Sequence, residues 1–452
     1  DVVNGKNTLE EFTAQLTDYD LSCIIRGEGM GSPKVTAGTA AAFGGVSDTL
    51  TALGIPCACC DDGPSGMRLD CGTKAFSLPN GTLLASTFDR SLMTELFTFM
   101  GLEMHTNQVD CLLGPGMNIH RHPLNGRNFE YFSEDPYLTG EMASAELAGL
   151  HSTGAEGTIK HFCGNNRETR RHFLDSVISE RALREIYLRG FENAVKKGGA
   201  KSVMTTYGQV NGVWTAGNYG LVTGILRDDW GFDGFTMTDW WANINRRGKA
   251  PDKSDFAAMA MAQNDVYMVT ADGAACNDNT LDSLKSGELT RGELQRNAMN
   301  ILRFLTTTHA MKRVMGCDDE TEIINRPADA GDVDSTDIEF HDIDEDLTLD
   351  LTGITTEKGS SYAFGLNVSK PGVYKVTLTA SSTLSELAQT SVSIFALGSP
   401  CGMFTFNGTG GAPVSQTKDV KCLSNFMPIR LYFGGSGLKT QSIRFELKER
   451  WT

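Results

Sequence analysis

Phe232-Asp-Gly-Phe-Thr-Met-Thr-Asp-Trp-Trp241 is the stretch whose reading decides the fold. Residues 235–238 read as a short buried strand, Gly234 precedes it, and Asp239 stands where it ends, followed by two indoles, Trp240 and Trp241. An Asp after a strand is commonly a turn residue or a helix N-cap. The paired indoles argue for more. Pyranose C–H faces stack on aromatic rings while carboxylates accept from hydroxyls, so an acid beside flat rings suits a sugar. In a (β/α)8 barrel the catalytic side chains stand at the C-terminal strand ends, which is where this reading puts Asp239.

Outward from that strand the chain alternates. Short apolar runs at 55–60, 111–115, 157–162, 202–207, 234–239 and 265–269 are of strand type. Helix-length amphipathic stretches lie between them, one starting at Ser179 as N-cap and stopping at Gly198-Gly199, others over 221–230 and 256–263. Such alternation predicts a parallel α/β fold, a (β/α)8 TIM-like barrel over residues 35–316. No GxGxxG opens a helix after a strand, so a Rossmann fold lacks its phosphate-binding signature. Residues 1–34 read as an opening helix and loop: Thr8-Leu-Glu-Glu11 fits a capping box, and Arg26-Gly-Glu-Gly-Met-Gly-Ser-Pro33 reads as irregular.

The text changes at 317–346, where 13 Asp and Glu stand against one basic residue, Arg326. That composition predicts a solvated acidic linker, and the acids do not fall into an EF-hand spacing. Residues 347–452 alternate apolar and polar, as in Tyr374-Lys-Val-Thr-Leu-Thr-Ala and Ile429-Arg-Leu-Tyr-Phe, with Gly, Pro and Ser turns between. This predicts a C-terminal all-β sandwich of jelly-roll type. Its Pro371-Gly-Val-Tyr-Lys-Val segment resembles small carbohydrate-binding jelly rolls, and a purely structural accessory domain is the other reading.

Size and composition bound the function. A chain of 452 residues is expected to form two domains, and a net charge of −16 argues against nucleic acid. No apolar run reaches the roughly 18–20 residues that span a bilayer, so no membrane association is expected. The first residue is Asp1, not Met, so the chain begins after processing or belongs to something longer. The eleven cysteines are scattered, and Cys57-Ala-Cys59-Cys60 has neither CxxC spacing nor a histidine partner set. No metal and no cofactor are expected, and the cysteines read as buried thiols of a reduced, cytoplasmic protein.

If the strands close a barrel, their C-terminal ends collect one polar set. Asp61 and Asp62 follow the first run, with Arg68 close behind, and Arg127 lies downstream of the second. Lys160 and His161 end the third, Tyr207 the fourth and Asp239 the fifth, with Trp240 next to it. Singly each has a plain account: a turn for Asp61-Asp62-Gly-Pro, a satisfied pair for Lys160-His161, a bridge from Arg127 to Glu130 or Glu134. Together they converge on one mouth, and burying so many polar groups costs stability unless a ligand or network satisfies them. A neutral polyhydroxylated ligand suits the mixture.

Four motifs in order, Asp62-Gly-Pro-Ser-Gly-Met-Arg68, Gly126-Arg-Asn-Phe-Glu-Tyr-Phe-Ser-Glu-Asp-Pro136, Lys160-His-Phe with Asn165, Asn166 and Glu168, and Thr236-Met-Thr-Asp-Trp240, strongly resemble the barrel domain of family 3 glycoside hydrolases, the β-glucosidase group. The resemblance implies a retaining, two-step hydrolysis of terminal β-linked sugars. It implies Asp239 as nucleophile, Asp62 as the carboxylate gripping hydroxyls in the −1 subsite, Arg68, Arg127, Lys160, His161 and Tyr207 as its neighbours, and Trp240 as a stacking ring. Lys160 and Arg127 are expected to lower the pKa of Asp239 and keep it ionised. The acid/base of most members, a Glu on a separate α/β sandwich domain, has no counterpart here. The Asp-His loop of a small subgroup is replaced by 165–171, and Asp175 reads as the start of the next helix. Some members carry the sandwich first, and the opening helix and loop resemble the approach to the barrel in that arrangement. The expectation is an acid/base Glu upstream of Asp1, in a cleaved segment or on a partner chain. Expected substrates are β-linked glucosides or xylosides, as small oligosaccharides or aryl glycosides, with the number of copies in the assembly left open. A carbohydrate-binding or inactive subunit lacking the acid/base is the second reading, and a glycoside phosphorylase the third.

Overall fold

A computed structural model describes residues 1–450 apart from 31, 33, 37, 70–74, 247, 320, 322–337, 397–398 and 423–424. The chain divides into two compact units, residues 1–69 with 73–322, and 70–72 with 323–452.

The first unit is built on eight strands: β1 (Arg26–Gly29), β2 (Ala41–Gly44), β3 (Cys57–Asp62), β4 (Cys111–Leu113), β5 (Glu156–Phe162), β6 (Ser202–Thr205), β7 (Phe235–Met237) and β8 (Tyr267–Thr270). They form one sheet in the order β7-β6-β5-β4-β3-β2-β1-β8. A parallel bridge from Met237 to Val266 brings β7 alongside the start of β8, so the sheet curls almost into a ring. The neighbours β3 to β7 are parallel, as the alternation predicts, and helices Arg90–Thr106, Pro136–His151 and Gly220–Asp229 lie among their connections. Capping follows the sequence: Thr8 makes the capping box with Glu11 at Leu9–Gln15, and Ser179 caps the helical segment that follows it.

Two expectations fail here. The stretch from Arg26, read as a loop, begins as β1, and Ala41–Gly44 is a strand that the sequence reading passed over. Both are only four residues long, so no periodicity distinguishes them from turns. Moreover, β2 runs antiparallel to β1 and to β3, pairing Glu28 with Ala42 and Ala41 with Cys60, so the ring is not the uniformly parallel (β/α)8 barrel expected. A parallel strand requires a crossover of a dozen or more residues, usually helical, and the short segment between β1 and β2 provides no such helix among its described residues. Asp175 also departs from expectation, lying in a two-residue strand paired with Gln209 rather than opening a helix.

What holds the end of the ring is one buried carboxylate. Asp265 is fully buried, and its Oδ2 accepts from the Thr236 amide at 2.9 Å and from Arg227 Nη2 at 2.6 Å. Its Oδ1 accepts from Asn300 Nδ2 at 3.1 Å. Helices Gly220–Asp229 and Arg291–Leu305 are thereby tied to the strand that leads to Asp239. The interior below is aromatic, with the Phe235 ring packed at a tilt 4.7 Å from Phe43 and 4.6 Å from Phe304. Gly234 is required by close approach, since a Cβ there would collide with the Lys201 carbonyl.

The second unit contains two sheets. One, five-stranded, has the order Phe340–Ile343, Ser361–Val368, Phe426–Phe433, Gln389–Ala396, Ser399–Asn407. The other, four-stranded, has the order Asp346–Asp350, Leu438–Arg450, Gly372–Ser382, Val414–Cys422. Both contribute to one hydrophobic cluster, which includes Phe364, Ile394, Phe404 and Leu431 from the first and Val376, Ile443 and Phe445 from the second. The acidic window is therefore not linker throughout. Most of it, 320 and 322–337, lies outside the described residues. Its end is sheet, because Ile343 is buried and Phe340 stacks on Phe426 at 4.3 Å.

Arg227→Met leaves Asp265 as an uncompensated buried charge. It should lower the stability of the first unit by about 3–5 kcal/mol, read as a lower urea midpoint in tryptophan fluorescence. The double variant with Asp265→Asn should recover part of that loss; a midpoint unchanged in Arg227→Met would refute the role given to the pair.

Candidate functional site

The C-terminal ends of β3 to β7 bring the sequence-selected residues to one mouth. Asp62 ends β3 and turns back through Gly63, whose φ of +142° and contact with Gly66 exclude a side chain. That turn returns the Arg68 amide to the Asp62 carbonyl at 2.9 Å. Lys160 and His161 lie within β5, Tyr207 two residues beyond β6, and Asp239 two beyond β7. All but Asp62, Arg68, Arg127 and Trp240 are buried.

One ion pair crosses the mouth: Lys160 Nζ donates to Asp62 Oδ1 at 2.8 Å. Burial pushes the Asp62 carboxyl up, but Lys160, then Arg127 and Arg68, outweigh it and hold Asp62 below the usual range. Asp62 is thus a fixed anion with an oxygen to offer a hydroxyl. Arg127 Nε pairs with Glu130 at 2.5 Å, as its plain account has it. Its charge nonetheless reaches both Asp62 and Asp239.

His161 is held from behind. Its backbone amide donates to Asn118 Oδ1 at 2.9 Å, and Asn118 Nδ2 donates to its carbonyl at 2.9 Å. Asn165 Nδ2 donates to the Tyr131 hydroxyl oxygen at 2.9 Å, which leaves the Tyr131 hydrogen for His161 Nδ1 at 3.2 Å. Burial, then the charges of Arg127, Lys160 and Arg171, depress the His161 pKa far below its ordinary value, so the ring is neutral. Its Nδ1 is also 3.3 Å from Asn118 Oδ1, and its Nε2 lies 3.7 Å from Asp239 Oδ2.

Asp239 is the buried carboxylate at the centre. Its Oδ1 accepts from the Trp240 amide at 2.8 Å, while Oδ2 is buried without a formed hydrogen bond. Burial pushes its pKa up to about 6, although Arg127, the Trp240 amide, Lys160 and the Tyr207 hydroxyl all favour the charged form. The two cations do lower it, as expected, but desolvation of a fully enclosed carboxylate outweighs cations already committed to Asp62 and Glu130, so the net shift is upward. Tyr207 is itself fixed, with the Arg171 guanidinium 4.6 Å from its ring centroid and the His172 ring at 4.1 Å. Trp240 packs on the barrel core at its lower face, and Trp241 is 55% exposed.

Sequence reasoning omitted Tyr131, Asn118 and Arg171, which orient His161 and Tyr207. Tyr131 lay inside a quoted motif, four residues after Arg127, and is fully buried. Chemically the mouth brings together an enclosed carboxylate, a fixed anion and N–H donors.

A family model for the N-terminal domain of glycosyl hydrolase family 3 matches residues 2–304. The chain is 62% identical over 465 residues to a β-glucosidase of Ruminococcus albus, which covers 100% of this chain and 49% of that relative. The crystal structure of a β-glucosidase from Paenibacillus barengoltzii is similar with a TM-score of 0.68 at 45% identity, over 98% of this chain and 48% of that one. β-Glucosidase 3B from Thermotoga neapolitana in complex with glucose gives 0.62 at 37% identity, over 69% and 44%. The chain spans about half the length of the curated relatives it matches most fully.

The raised carboxyl has a consequence for stability. Because the folded pKa of Asp239 lies above its ordinary 3.8, its contribution is fully present below about 3.8 and is lost as pH rises through about 6. The stability difference between Asp239→Asn, which cannot ionise, and the wild type should therefore grow in the variant's favour over that interval and level off above it. Denaturant midpoints from about pH 4 to 7.5 measure this, and a gap independent of pH would contradict the raised value.

Proposed function

Since this chain belongs to glycosyl hydrolase family 3, we propose that it is the barrel of a retaining exo-β-glucosidase acting on terminal β-linked glucose. The observation that carries the reading is Asp239, an enclosed carboxylate with one uncommitted oxygen, among an anchored anion, a neutral histidine and a tyrosine. In the ionised state Asp239 attacks the anomeric carbon and the aglycone leaves, forming a glycosyl ester. Water then releases the sugar with the original configuration. Asp62 accepts from sugar hydroxyls, Arg68, Arg127, Lys160 and His161 supply donors, Tyr207 orients the nucleophile, and Trp240 gives a stacking face. The glucose complex of the Thermotoga neapolitana relative supports glucose as the guest, and xylosides are the next class to try.

Departure of an unactivated aglycone needs a second carboxyl as proton donor. The acidic groups around the mouth are poorly suited: Asp62 is held by Lys160, Glu130 by Arg127, and Glu168 by Arg171 at 2.9 Å. We place the acid/base Glu on a segment or partner chain beyond this sequence, and the partial coverage of the relatives supports that placement. We read the two C-terminal sheets as a β-sandwich accessory domain, reached through the acidic linker. A cytoplasmic setting fits the ten described cysteines, all unbridged, and no described helix is long and apolar enough to cross a membrane. The competing function, a sugar-binding subunit without turnover, is favoured by the same commitment of Asp62, Glu130 and Glu168.

A dinitrophenyl 2-deoxy-2-fluoro-β-glucoside separates the two, because its leaving group departs unprotonated. One sugar per chain should attach to Asp239, seen as an intact-mass increase and located by peptide sequencing. Asp239→Asn should take up none, and Asp239→Ala should lose activated aryl glucoside turnover by several powers of ten while keeping its fold. Binding of glucose with no label on the wild type would establish the binding subunit instead.

A further inference from the structure

Outside the mouth residues, three side chains of the barrel unit converge that no catalytic step uses. His105 lies in the last turn of helix Arg90–Thr106, His309 opens helix His309–Met315, and Asp318 follows that helix. His309 Nδ1 is 2.6 Å from Asp318 Oδ1, and His105 Nε2 is 3.2 Å from Asp318 Oδ2. One donor atom from each residue lies within 4.8 Å of the others.

The far side of each ring decides what the near side needs. His309 Nε2 faces the Thr153 carbonyl at 2.8 Å, and a carbonyl only accepts, so that nitrogen carries its hydrogen. Nδ1 on the other side of the ring faces a carboxylate oxygen at a distance that a bridging proton or a bound metal ion each accounts for. His105 Nδ1 is 2.6 Å from Thr321 Oγ1, a hydroxyl that can donate or accept, and its Nε2 faces the carboxylate. Anchoring of the outer ring nitrogen on a carbonyl or hydroxyl is the arrangement that orients metal-ligating histidines. The two rings are stacked at 3.9 Å. Arg313 also reaches the carboxylate, its Nη1 lying 3.7 Å from Asp318 Oδ2 while its Nη2 bonds Asp110 at 3.1 Å.

We propose that His105 Nε2, His309 Nδ1 and the Asp318 carboxylate form a structural site for a divalent transition metal of the zinc type, completed by water. Two imidazoles and a carboxylate are a zinc donor set, and spacings of about 3–3.5 Å between ligand atoms, which bonds of about 2.0–2.1 Å produce, require only small movements here. The site ties the segment leaving the barrel unit to helix Arg90–Thr106, residues more than 200 positions apart. Neither metal nor site enters the sugar chemistry.

The test uses the full chain stripped with chelator. Zinc should return at one ion per chain after gel filtration, and a hundredfold excess over Kd should raise the melting temperature by about 4 °C or more. Cobalt should bind at the same stoichiometry with the visible bands of a nitrogen–oxygen site and no thiolate charge-transfer band. His105→Gln and Asp318→Asn should each lose both, whereas Cys317→Ser, which removes the adjacent exposed thiol, should keep them. If the wild type retains less than a tenth of an ion per chain, a shared proton fills the role and the metal site is refuted. Equal retention by the variants and the wild type would assign the metal to thiols and likewise refute it.

Discussion

The closure of the ring depends on Asp265. A carboxylate with no solvent is stable only where donors surround it, and here a backbone amide, a guanidinium and an amide side chain do so. Because one of those donors is the Thr236 amide in β7, satisfying Asp265 also fixes the strand that delivers Asp239 three residues later. The position of Asp239 is thus set from beneath the mouth, by a second buried charge.

The mouth itself rests on a division between two acids. Asp62 and Asp239 stand at strand ends of the same ring, yet a direct bond to Lys160 holds one ionised while enclosure raises the other to about 6. Charge complementarity over a few ångströms separates them, not residue type. For the raised acid, the ionised form is the one the fold favours less. Such a cost belongs where a ligand replaces the missing solvation.

Much of this was legible in the residues. The alternation of apolar runs with capped amphipathic helices announces the parallel part of the sheet, and the motif around each strand end brings Asp62, Arg127, Lys160, His161, Tyr207 and Asp239 to one place. The antiparallel β2 was not legible, since four buried residues between glycine-rich turns have no period to read. Nor was the end of the acidic window, where Phe340 and Ile343 pair into a sheet despite the surrounding acids. Local composition predicts solvation there; pairing with Ser361–Val368 overrules it.

By itself, then, the sequence selected the side chains that gather at the mouth and most of the strands that hold them, because motif and periodicity are local properties. Only the tertiary structure decided their states. Whether Asp239 titrates low or high depends on how much water the closed mouth excludes and on whether Lys160 is already engaged by Asp62. Whether His161 is neutral depends on Arg127, Lys160 and Arg171 arriving from other segments. The grouping of His105, His309 and Asp318 likewise requires the fold, since more than 200 residues separate the first from the others. Electrostatic energies depend on separation and burial in space, and neither is a function of distance along the chain.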